Sequence, residues 1–279
     1  MKILSSSFCH LNIQRSSRGP NWAKPVELET ILLSEPMKVN TYDELVRSVA
    51  QILHRHRNLN LFYRGQSVDH REDEKTSILP SIYRKRNNEK RLMLREKFIT
   101  LNENVLSLRK LFSEEKLPLT GTSLLNRYPE ISWSILQHYE VCDTPLLDIT
   151  SSLHVACSFA FDRNKSSKGI IYVLGLPWAN DPIGYNTYEE IVNIKLLSVC
   201  PPQAQRPFFQ EGYLAGPFPN YQLEEPKRAY QFDFARRLVA KFEIPIHKDF
   251  WGDGFSVIPS SKLYQGFDKV KEICDRLRG

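Results

Sequence analysis

Six apolar residues recur at spacings of four, three, four, three and four, and they are Leu94, Phe98, Leu101, Val105, Leu108 and Phe112. This is the period of a helix that turns one apolar face to its surroundings. It predicts a long helix over roughly Asn88–Phe112. We expect the stripe to pack on a hydrophobic core, since such a stripe serves packing far more often than chemistry.

Segments typical of β-strands lie on both sides of this helix. They are rich in aliphatic, β-branched and aromatic residues. The predicted strands are Leu59–Arg64, closed by Gly65, then Pro145–Ile149, Gly169–Leu174, Glu190–Val199 and Leu238–Ile244. The last one alternates, and Lys241 belongs to the polar side of that alternation.

Other helices are predicted around these strands. Thr41 opens one of them, and Thr41 and Glu44 form a capping-box pair that satisfies backbone N–H groups at the helix start. The others cover about Ile131–His138, a segment capped by Thr150, Ser151 or Ser152, and about Ser261–Leu277. Five or more strands with helices before, between and after them predict an α+β fold.

The domain organisation is simple by sequence. The 279 residues show no internal repeat and no obvious linker, and this length allows one large domain or two small ones. The first 40 residues carry few periodic signals. We therefore predict an N-terminal arm over residues 1–40 and a single domain over residues 41–279.

Composition is that of a globular protein. Hydrophobic residues make up 41% and charged residues 25%, which argues against global disorder. The net charge of +6 permits an anionic ligand or a nucleic acid, and a basic surface that serves solubility explains it equally well.

Several classes of protein lack their signatures in this sequence. The five cysteines form no Cys-x-x-Cys pair, so we expect neither a zinc site nor a disulfide framework. Glycine-rich phosphate loops and His-Glu-x-x-His are missing, and no metal is predicted. No apolar run suits a membrane span, and the first residues lack the apolar stretch of a signal peptide. We expect a cytoplasmic protein in a reducing compartment.

A basic run lies between positions 84 and 97. It contains Arg84, Lys85, Arg86, Lys90, Arg91, Arg95 and Lys97, against Glu89 and Glu96. Two interpretations stay open, a solvated helix face and a contact with nucleic acid or another polyanion.

Three segments carry residue types suited to ligand binding, and the first is Phe62–Gln66. Arg64 comes at the end of a predicted strand, and its planar guanidinium suits phosphate or carboxylate. Gly65 permits an approach that a Cβ would block. A surface salt bridge of Arg64 is the alternative.

The second segment runs from Leu136 to Ala156, through a strand and a hydroxyl-rich turn into a helix. Thr150 and Ser151 either cap that helix or hold a ligand at its N-terminus. His138 and Asp148 are candidates for orienting the same cleft, although a histidine beside an apolar segment is more often a core residue.

The third segment is Arg206–Tyr213, where Gln210 and Glu211 stand together before Gly212. Either side chain is able to hydrogen-bond a ribose hydroxyl or to stabilise a cationic sugar in a transition state. A plain turn is the alternative.

In this order, the segments resemble the FRG domain family, named for its Phe/Tyr-Arg-Gly motif. The matching residues are Tyr63-Arg64-Gly65 with Gln66, Leu79-Pro80-Ser81 to Arg84, Gln137 to Thr150, and Arg206, Gln210 and Gly212. The resemblance covers about Leu59–Leu277. Glu140 stands where the family has Gly, and Thr144-Pro145 reverses the family's Pro-Thr.

The FRG family is in turn similar to the ADP-ribosyltransferase superfamily. This implies an α+β fold with a split, mixed β-sheet and flanking helices in a single domain. It also implies that Arg64 binds the phosphate or ribose of NAD, and that Thr150 and Ser151 brace the nicotinamide pocket. Gln210 or Glu211 would hydrogen-bond the nicotinamide ribose, so the implied catalytic residues are Arg64, Gln210 and Glu211. The other residues that the resemblance assigns to NAD binding are Tyr63, Gly65, Gln66, His138, Asp148 and Arg206.

The function implied by the resemblance is an NAD-dependent ADP-ribosyltransferase or NAD glycohydrolase, acting on an unknown macromolecular acceptor or on water. A role as a toxin or an anti-phage defence effector follows from the same resemblance. The alternative is a non-catalytic nucleotide- or nucleic-acid-binding module on the same fold. It is motivated by Gln210, which stabilises an oxocarbenium ion less well than a carboxylate, and by the basic run 84–97.

Overall fold

The computed structural model describes residues 28–84, 94–115, 122–218, 232–264 and 268–278. The first 27 residues of the predicted arm, the predicted helix start at Asn88 and the basic positions 85–93 lie outside these ranges. Within the described residues, no helix has the length and the apolar composition needed to cross a membrane.

Helices and strands are interspersed along the chain. The helices are α1 (Leu28–Leu33), α2 (Tyr42–Arg55), α3 (Leu94–Glu114), α4 (Thr122–Arg127), α5 (Pro129–His138), α6 (Leu153–Phe161), α7 (Leu196–Val199), α8 (Arg206–Phe209), α9 (Ser260–Leu263) and α10 (Lys269–Arg278). The strands are β1 (Met37–Lys38), β2 (Asn60–Gln66), β3 (Arg71–Glu72), β4 (Lys75–Thr76), β5 (Leu147–Thr150), β6 (Lys168–Leu176), β7 (Ile183–Asn186), β8 (Ile191–Lys195), β9 (Gly212–Pro217) and β10 (Leu238–Pro245).

The described chain divides into two compact units, each made of three separate stretches. The first unit draws on residues within 28–78, 150–178 and 234–259. Its strands follow the order β1-β10-β6-β2. Strand β1 is parallel to β10, whereas β10 with β6 and β6 with β2 are antiparallel. At the other edge of β2, Tyr63 pairs with Thr150.

The core of the first unit forms around β6. Every residue of this strand after Lys168 is buried, and such a continuous apolar run is typical of a strand covered on both faces. Helices α2 and α6 contribute Leu45, Val49, Ala156 and Ala160 to the core. These residues are spaced four apart, so each pair lies on one face of its helix.

The start of α2 differs slightly from the expected capping box. The Thr41 side chain accepts a hydrogen bond from the Glu44 backbone N–H, as predicted. The Glu44 carboxylate reaches one residue further back and accepts from the Asn40 N–H at 2.8 Å. The backbone N–H groups of Glu44 and Asn40 therefore both have acceptors, and the predicted helix start is confirmed.

The second unit draws on described residues within 79–149, 179–233 and 260–279. Its strands follow the order β5-β9-β8-β7, and β8 is antiparallel to both β9 and β7. Helix α3 packs against α5 and α10. Its buried residues are Phe98, Leu101, Val105, Leu108 and Phe112. The apolar stripe therefore packs on the core as predicted.

Two predicted elements are wrong in part. The strand predicted over Glu190–Val199 ends at Lys195, where the pairing of β8 with β9 also ends, and α7 follows. The predicted last helix consists of α9 and α10. The Asp268 carboxylate accepts from the backbone N–H groups of Val270 and Lys271, and this starts α10 as a new helix.

The predicted fold class is confirmed at the level of a mixed α+β protein with parallel and antiparallel strands and flanking helices. The ADP-ribosyltransferase-like arrangement of the sheet stays a prediction. So do the boundaries at residues 1–40 and 41–279.

Candidate functional site

The predicted site residues belong to both compact units. The first unit contains Tyr63, Arg64, Gly65, Gln66, Thr150 and Ser151, and the second contains His138, Asp148, Arg206, Gln210 and Glu211.

Arg64 lies inside a strand rather than at its end. Strand β2 continues through Gln66, so the expectation that Gly65 closes the strand is wrong. In the register of the sheet, Arg64 is opposite Tyr172 of β6, and Tyr172 is opposite Lys241 of β10. Residues directly opposite one another share a face, so these three side chains form one row across three strands.

Gly65 is required by packing. A Cβ at this position would lie 1.7 Å from the carbonyl oxygen of Ala156 in α6. No side chain fits there unless the helix backbone moves. The expectation that Gly65 permits a close approach is confirmed, and the approaching group is the protein's own helix α6.

The hydroxyl-rich turn lies beside β2. Thr150, which pairs with Tyr63, is buried, and its Oγ1 accepts from the Ser152 N–H at 3.1 Å. Ser152 is the cap of α6, because its side chain accepts from the Val155 N–H. Ser151 is exposed. Two of the three hydroxyls therefore shape the turn, and Ser151 presents the third to solvent.

The side chain of Gln66 contacts a polar cluster that was not predicted from the sequence. Its Nε2 donates to the Val68 carbonyl oxygen at 2.7 Å and to the Tyr172 hydroxyl at 3.0 Å. The Tyr172 hydroxyl donates to Asp69 Oδ1 at 2.7 Å. Lys241 reaches Asp69 Oδ2 at 3.1 Å.

Lys241 follows the alternation of its strand and is nevertheless buried. It was expected on the polar side of β10, yet only 2% of its side chain is exposed. The ammonium is accommodated because Asp69 and the Thr76 hydroxyl surround it, the latter at 2.5 Å. A sequence pattern shows that a lysine faces away from its apolar neighbours, but not that the other face is covered too.

Burial and hydrogen bonding compete at this pair. Burial tends to raise the pKa of Asp69, but hydrogen bonds from Tyr172, Lys241 and Thr76 outweigh it and hold that pKa below its ordinary value. Burial lowers the pKa of Lys241, and the hydrogen bond and charge of Asp69 oppose this shift. Asp69 is thus held as a carboxylate by the donors around it.

In the second unit, the predicted pair His138 and Asp148 is in contact. His138 Nδ1 lies 3.2 Å from Asp148 Oδ1, and Gln137 Nε2 donates to Asp148 Oδ2 at 2.9 Å. Burial lowers the pKa of His138, and its hydrogen bond to Asp148 opposes the shift. Burial therefore favours the neutral imidazole, and a neutral ring that contacts a carboxylate through Nδ1 carries its proton on that nitrogen.

Gln137 connects this carboxylate to a second motif. Its Oε1 accepts from the Thr144 hydroxyl at 2.6 Å and from the Ser81 hydroxyl at 3.3 Å. The Thr144 N–H in turn donates to Ser81 Oγ at 3.0 Å. Ser81 and Gln137 come from two motifs of the resemblance, so the two motifs are structurally one network that orients the side chain of Asp148.

Arg206 is held by protein groups on several sides. Its Nη2 donates to Glu140 Oε1 at 2.8 Å, and its backbone N–H donates to Asp268. Its guanidinium also lies over the rings of Tyr139 and Tyr264. Arg206 therefore connects Glu140, Asp268 and two tyrosine rings within the second unit.

Glu140 stands where the family that the sequence resembles has Gly. Its φ is 57°, in the left-handed region that favours glycine. The Gly at this family position therefore suits the backbone. Here a glutamate accepts the strained conformation and supplies the carboxylate that pairs with Arg206.

Gln210 and Glu211 differ in exposure. Gln210 is buried, and its Nε2 donates to the Leu263 carbonyl oxygen at 2.8 Å. Glu211 is exposed, at a φ of 42°. The amide thus serves an internal contact, whereas the carboxylate faces solvent.

The sequence did not single out Asp69, Tyr172 or Lys241. Asp69 lies in a short loop, and Tyr172 is one apolar residue among many in β6. Among the described residues, no group of three or more His, Cys, Asp or Glu side chains is placed to hold a metal ion.

Comparison with known proteins gives one match. No curated protein and no solved structure is similar enough to the chain to count as a match. A family model matches a stretch that contains Tyr63-Arg64-Gly65, the Ser81 segment and Gln137 to Thr150, but not Arg206, Gln210 or Gly212. The extension of the resemblance to Leu277 stays a prediction. Residues 59–169 of this chain match the FRG domain family.

Proposed function

We propose that the protein is an NAD-dependent ADP-ribosyltransferase or NAD glycohydrolase. Support comes above all from the first unit, where the strand that carries Arg64 pairs, at Tyr63, with the hydroxyl-rich turn that begins at Thr150. The guanidinium of Arg64 suits the diphosphate of NAD, because its planar fork offers several donors to anionic oxygens.

The proposed reaction breaks the bond between the nicotinamide nitrogen and the anomeric carbon of the ribose. Nicotinamide leaves with the electron pair, and the carbon gains oxocarbenium character. Water or an acceptor side chain then forms the new bond to that carbon and gives up a proton. A carboxylate stabilises the developing positive charge.

The catalytic roles are those that the resemblance implies, and side-chain exposure serves only to choose between Gln210 and Glu211. Arg64 holds the phosphate or the ribose. Glu211 is the better candidate for the carboxylate, since it is ionisable and exposed, whereas Gln210 donates its amide to Leu263. Thr150 and Ser151 brace the nicotinamide, as the resemblance implies.

The test is NAD consumption and nicotinamide release by the full chain, with and without cell lysate. We expect Arg64→Ala to lower turnover by about 10²-fold or more, because it removes a charge from the site. Arg47→Ala is the matched control, since Arg47 forms an exposed ion pair with Asp43 on α2. Release without lysate indicates a glycohydrolase or self-modification. Equal turnover in wild type and Arg64→Ala would reject this assignment of Arg64.

A second candidate is a non-catalytic nucleotide- or nucleic-acid-binding module. It is favoured by the internal hydrogen bond of Gln210, which removes this amide from chemistry. Binding to RNA or DNA that weakens steeply with salt, without any NAD loss, is its expected signature. Salt-independent binding counts against the nucleic-acid version.

The toxin or defence role is a consequence of the enzymatic proposal, and the cytoplasm is its expected location. Induced expression should arrest growth, and Arg64→Ala should abolish the arrest. Normal growth at high expression would rule out the toxin role. It would not bear on the proposed reaction, which the NAD assay tests.

A further inference from the structure

We infer that Asp69, Tyr172 and Lys241 are positioning residues that fix Gln66 and the neighbouring Arg64 in the orientation the ligand requires. This inference rests on the proposed function for its ligand. Its geometry lies entirely within the first unit.

The register of three strands aligns the relevant side chains. Lys241 of β10, Tyr172 of β6 and Arg64 of β2 occupy consecutive opposite positions. Neighbouring strands are about 4.8 Å apart, so the row spans roughly 10 Å from Lys241 to Arg64. Tyr172 therefore stands between two cationic residues in this row.

Asp69 lies in the loop that follows β2 and accepts hydrogen bonds from two side chains of this row. Its Oδ1 accepts from Tyr172 at 2.7 Å and its Oδ2 from Lys241 at 3.1 Å. Arg71 Nε also donates to Oδ2, at 3.0 Å. One carboxylate therefore links β10 and β6 to the loop that follows β2, and it offsets the buried charge of Lys241.

Gln66 connects these hydrogen bonds to the candidate site. Its amide donates both to Tyr172 and to the Val68 carbonyl oxygen, so the residues between β2 and Asp69 form a closed turn. Gln66 is two residues from Arg64 on the same strand, and alternation places the two side chains on the same face. Losing the Tyr172 hydroxyl removes one of the two side-chain hydrogen bonds that Gln66 makes with described residues.

The distinguishing variant is Tyr172→Phe, which removes one hydroxyl and keeps the ring. The matched control is Tyr185→Phe, which removes the hydrogen bond from Tyr185 to Glu130 in the second unit. We expect Tyr172→Phe to raise the KM for NAD by roughly three- to tenfold, the size of one hydrogen bond, with kcat within about twofold of wild type. Tyr185→Phe should leave both constants unchanged.

A second readout does not need turnover. The side-chain amide signals of Gln66 in the NMR spectrum of the full chain, assigned by their loss in Gln66→Ala, should shift in Tyr172→Phe and stay in place in Tyr185→Phe. Unchanged Gln66 signals in Tyr172→Phe would overturn the inference whether or not the wild type consumes NAD.

The two readouts separate the two proposals. Shifted signals with an unchanged KM would overturn the positioning role and leave the enzyme proposal intact. A wild type without NAD turnover would remove the proposed function, while the Gln66 signals still decide whether the network holds this side chain. A fall in kcat without a change in KM would also contradict a role in orienting the bound ligand.

Discussion

Two aspartates with little exposed surface, one in each unit, are satisfied by different kinds of donor. Asp69 in the first unit accepts from charged and hydroxyl side chains, including Lys241 and Tyr172. Asp268 in the second unit accepts from the Tyr139 hydroxyl at 2.7 Å and from backbone N–H groups, among them that of Arg206 at 2.9 Å. Each carboxylate thus accepts from a tyrosine hydroxyl at 2.7 Å, and the two carboxylates differ in their remaining donors.

The comparison separates two ways of burying a negative charge. At Asp69 the charge is balanced by another charge, so removing the carboxylate leaves Lys241 buried without its counter-ion. At Asp268 the donors are neutral, and removing the carboxylate leaves a helix start and a hydroxyl without acceptors. The first arrangement depends on electrostatics, and the second depends on backbone geometry.

The largest effect is expected at Asp69. Asp69→Asn should lower the free energy of unfolding by about 3–5 kcal/mol, because an uncompensated buried ammonium remains. Adding Lys241→Met should recover much of the loss. Urea unfolding of both single variants and the double variant gives the coupling, and strictly additive losses would mean that the two charges are not energetically linked.

A smaller effect is expected at Asp268. Asp268→Ala should cost about 2–3 kcal/mol, since it removes the cap of α10 and the acceptor of Tyr139. Asp268→Ser should restore roughly 1 kcal/mol, because a serine hydroxyl still caps the helix. Equal unfolding midpoints for the alanine and serine variants would show that capping is not what Asp268 contributes.

The pH dependence of stability is expected to report on Asp69. Because the pKa of Asp69 is held below its ordinary value of 3.8, its contribution to stability is present above that pH and is lost as the pH falls through the lower, folded-state value. The double variant Asp69→Asn/Lys241→Met should lose less stability than wild type between about pH 6 and about pH 3. The prediction would be contradicted if the free energies of unfolding of wild type and the double variant, measured with urea, fell in parallel over this pH range.

The smallest effect is expected at a surface ion pair near Asp268. Lys271 contacts Asp275 at 2.5 Å, and both side chains are about 40% exposed. Lys271→Gln keeps the backbone N–H that donates to Asp268 and removes only the charge. It should change the free energy of unfolding by less than about 0.5 kcal/mol. A larger loss would mean that side-chain charge matters at this helix start as well.

The sequence predicted the parts of the fold that depend on local patterns. The stripe of α3, the cap of α2 at Thr41 and the strand β6 all follow from spacing or composition, and the structure confirms them. The end of β8 was missed because it depends on where its partner strand stops. Local composition carries no information about that partner.

The candidate site was predictable in its motif residues but not in what they contact. The sequence placed His138 and Asp148 together, and they meet at 3.2 Å. It did not show that Gly65 is required by α6, since Ala156 is far from it along the chain. It also placed Lys241 on the polar side of β10, because alternation does not reveal a covered second face.

The strand order of the first unit has a consequence for biosynthesis. Strand β10 lies between β1 and β6, yet it is the last of these strands to leave the ribosome. Until Leu238–Pro245 emerges, one edge of β6 has no partner, and an open apolar edge invites pairing with other chains. A nascent chain that already contains every FRG-matched residue, 59–169, would still lack this strand. Ribosome-stalled intermediates ending before β10 would be the species in greatest need of a chaperone.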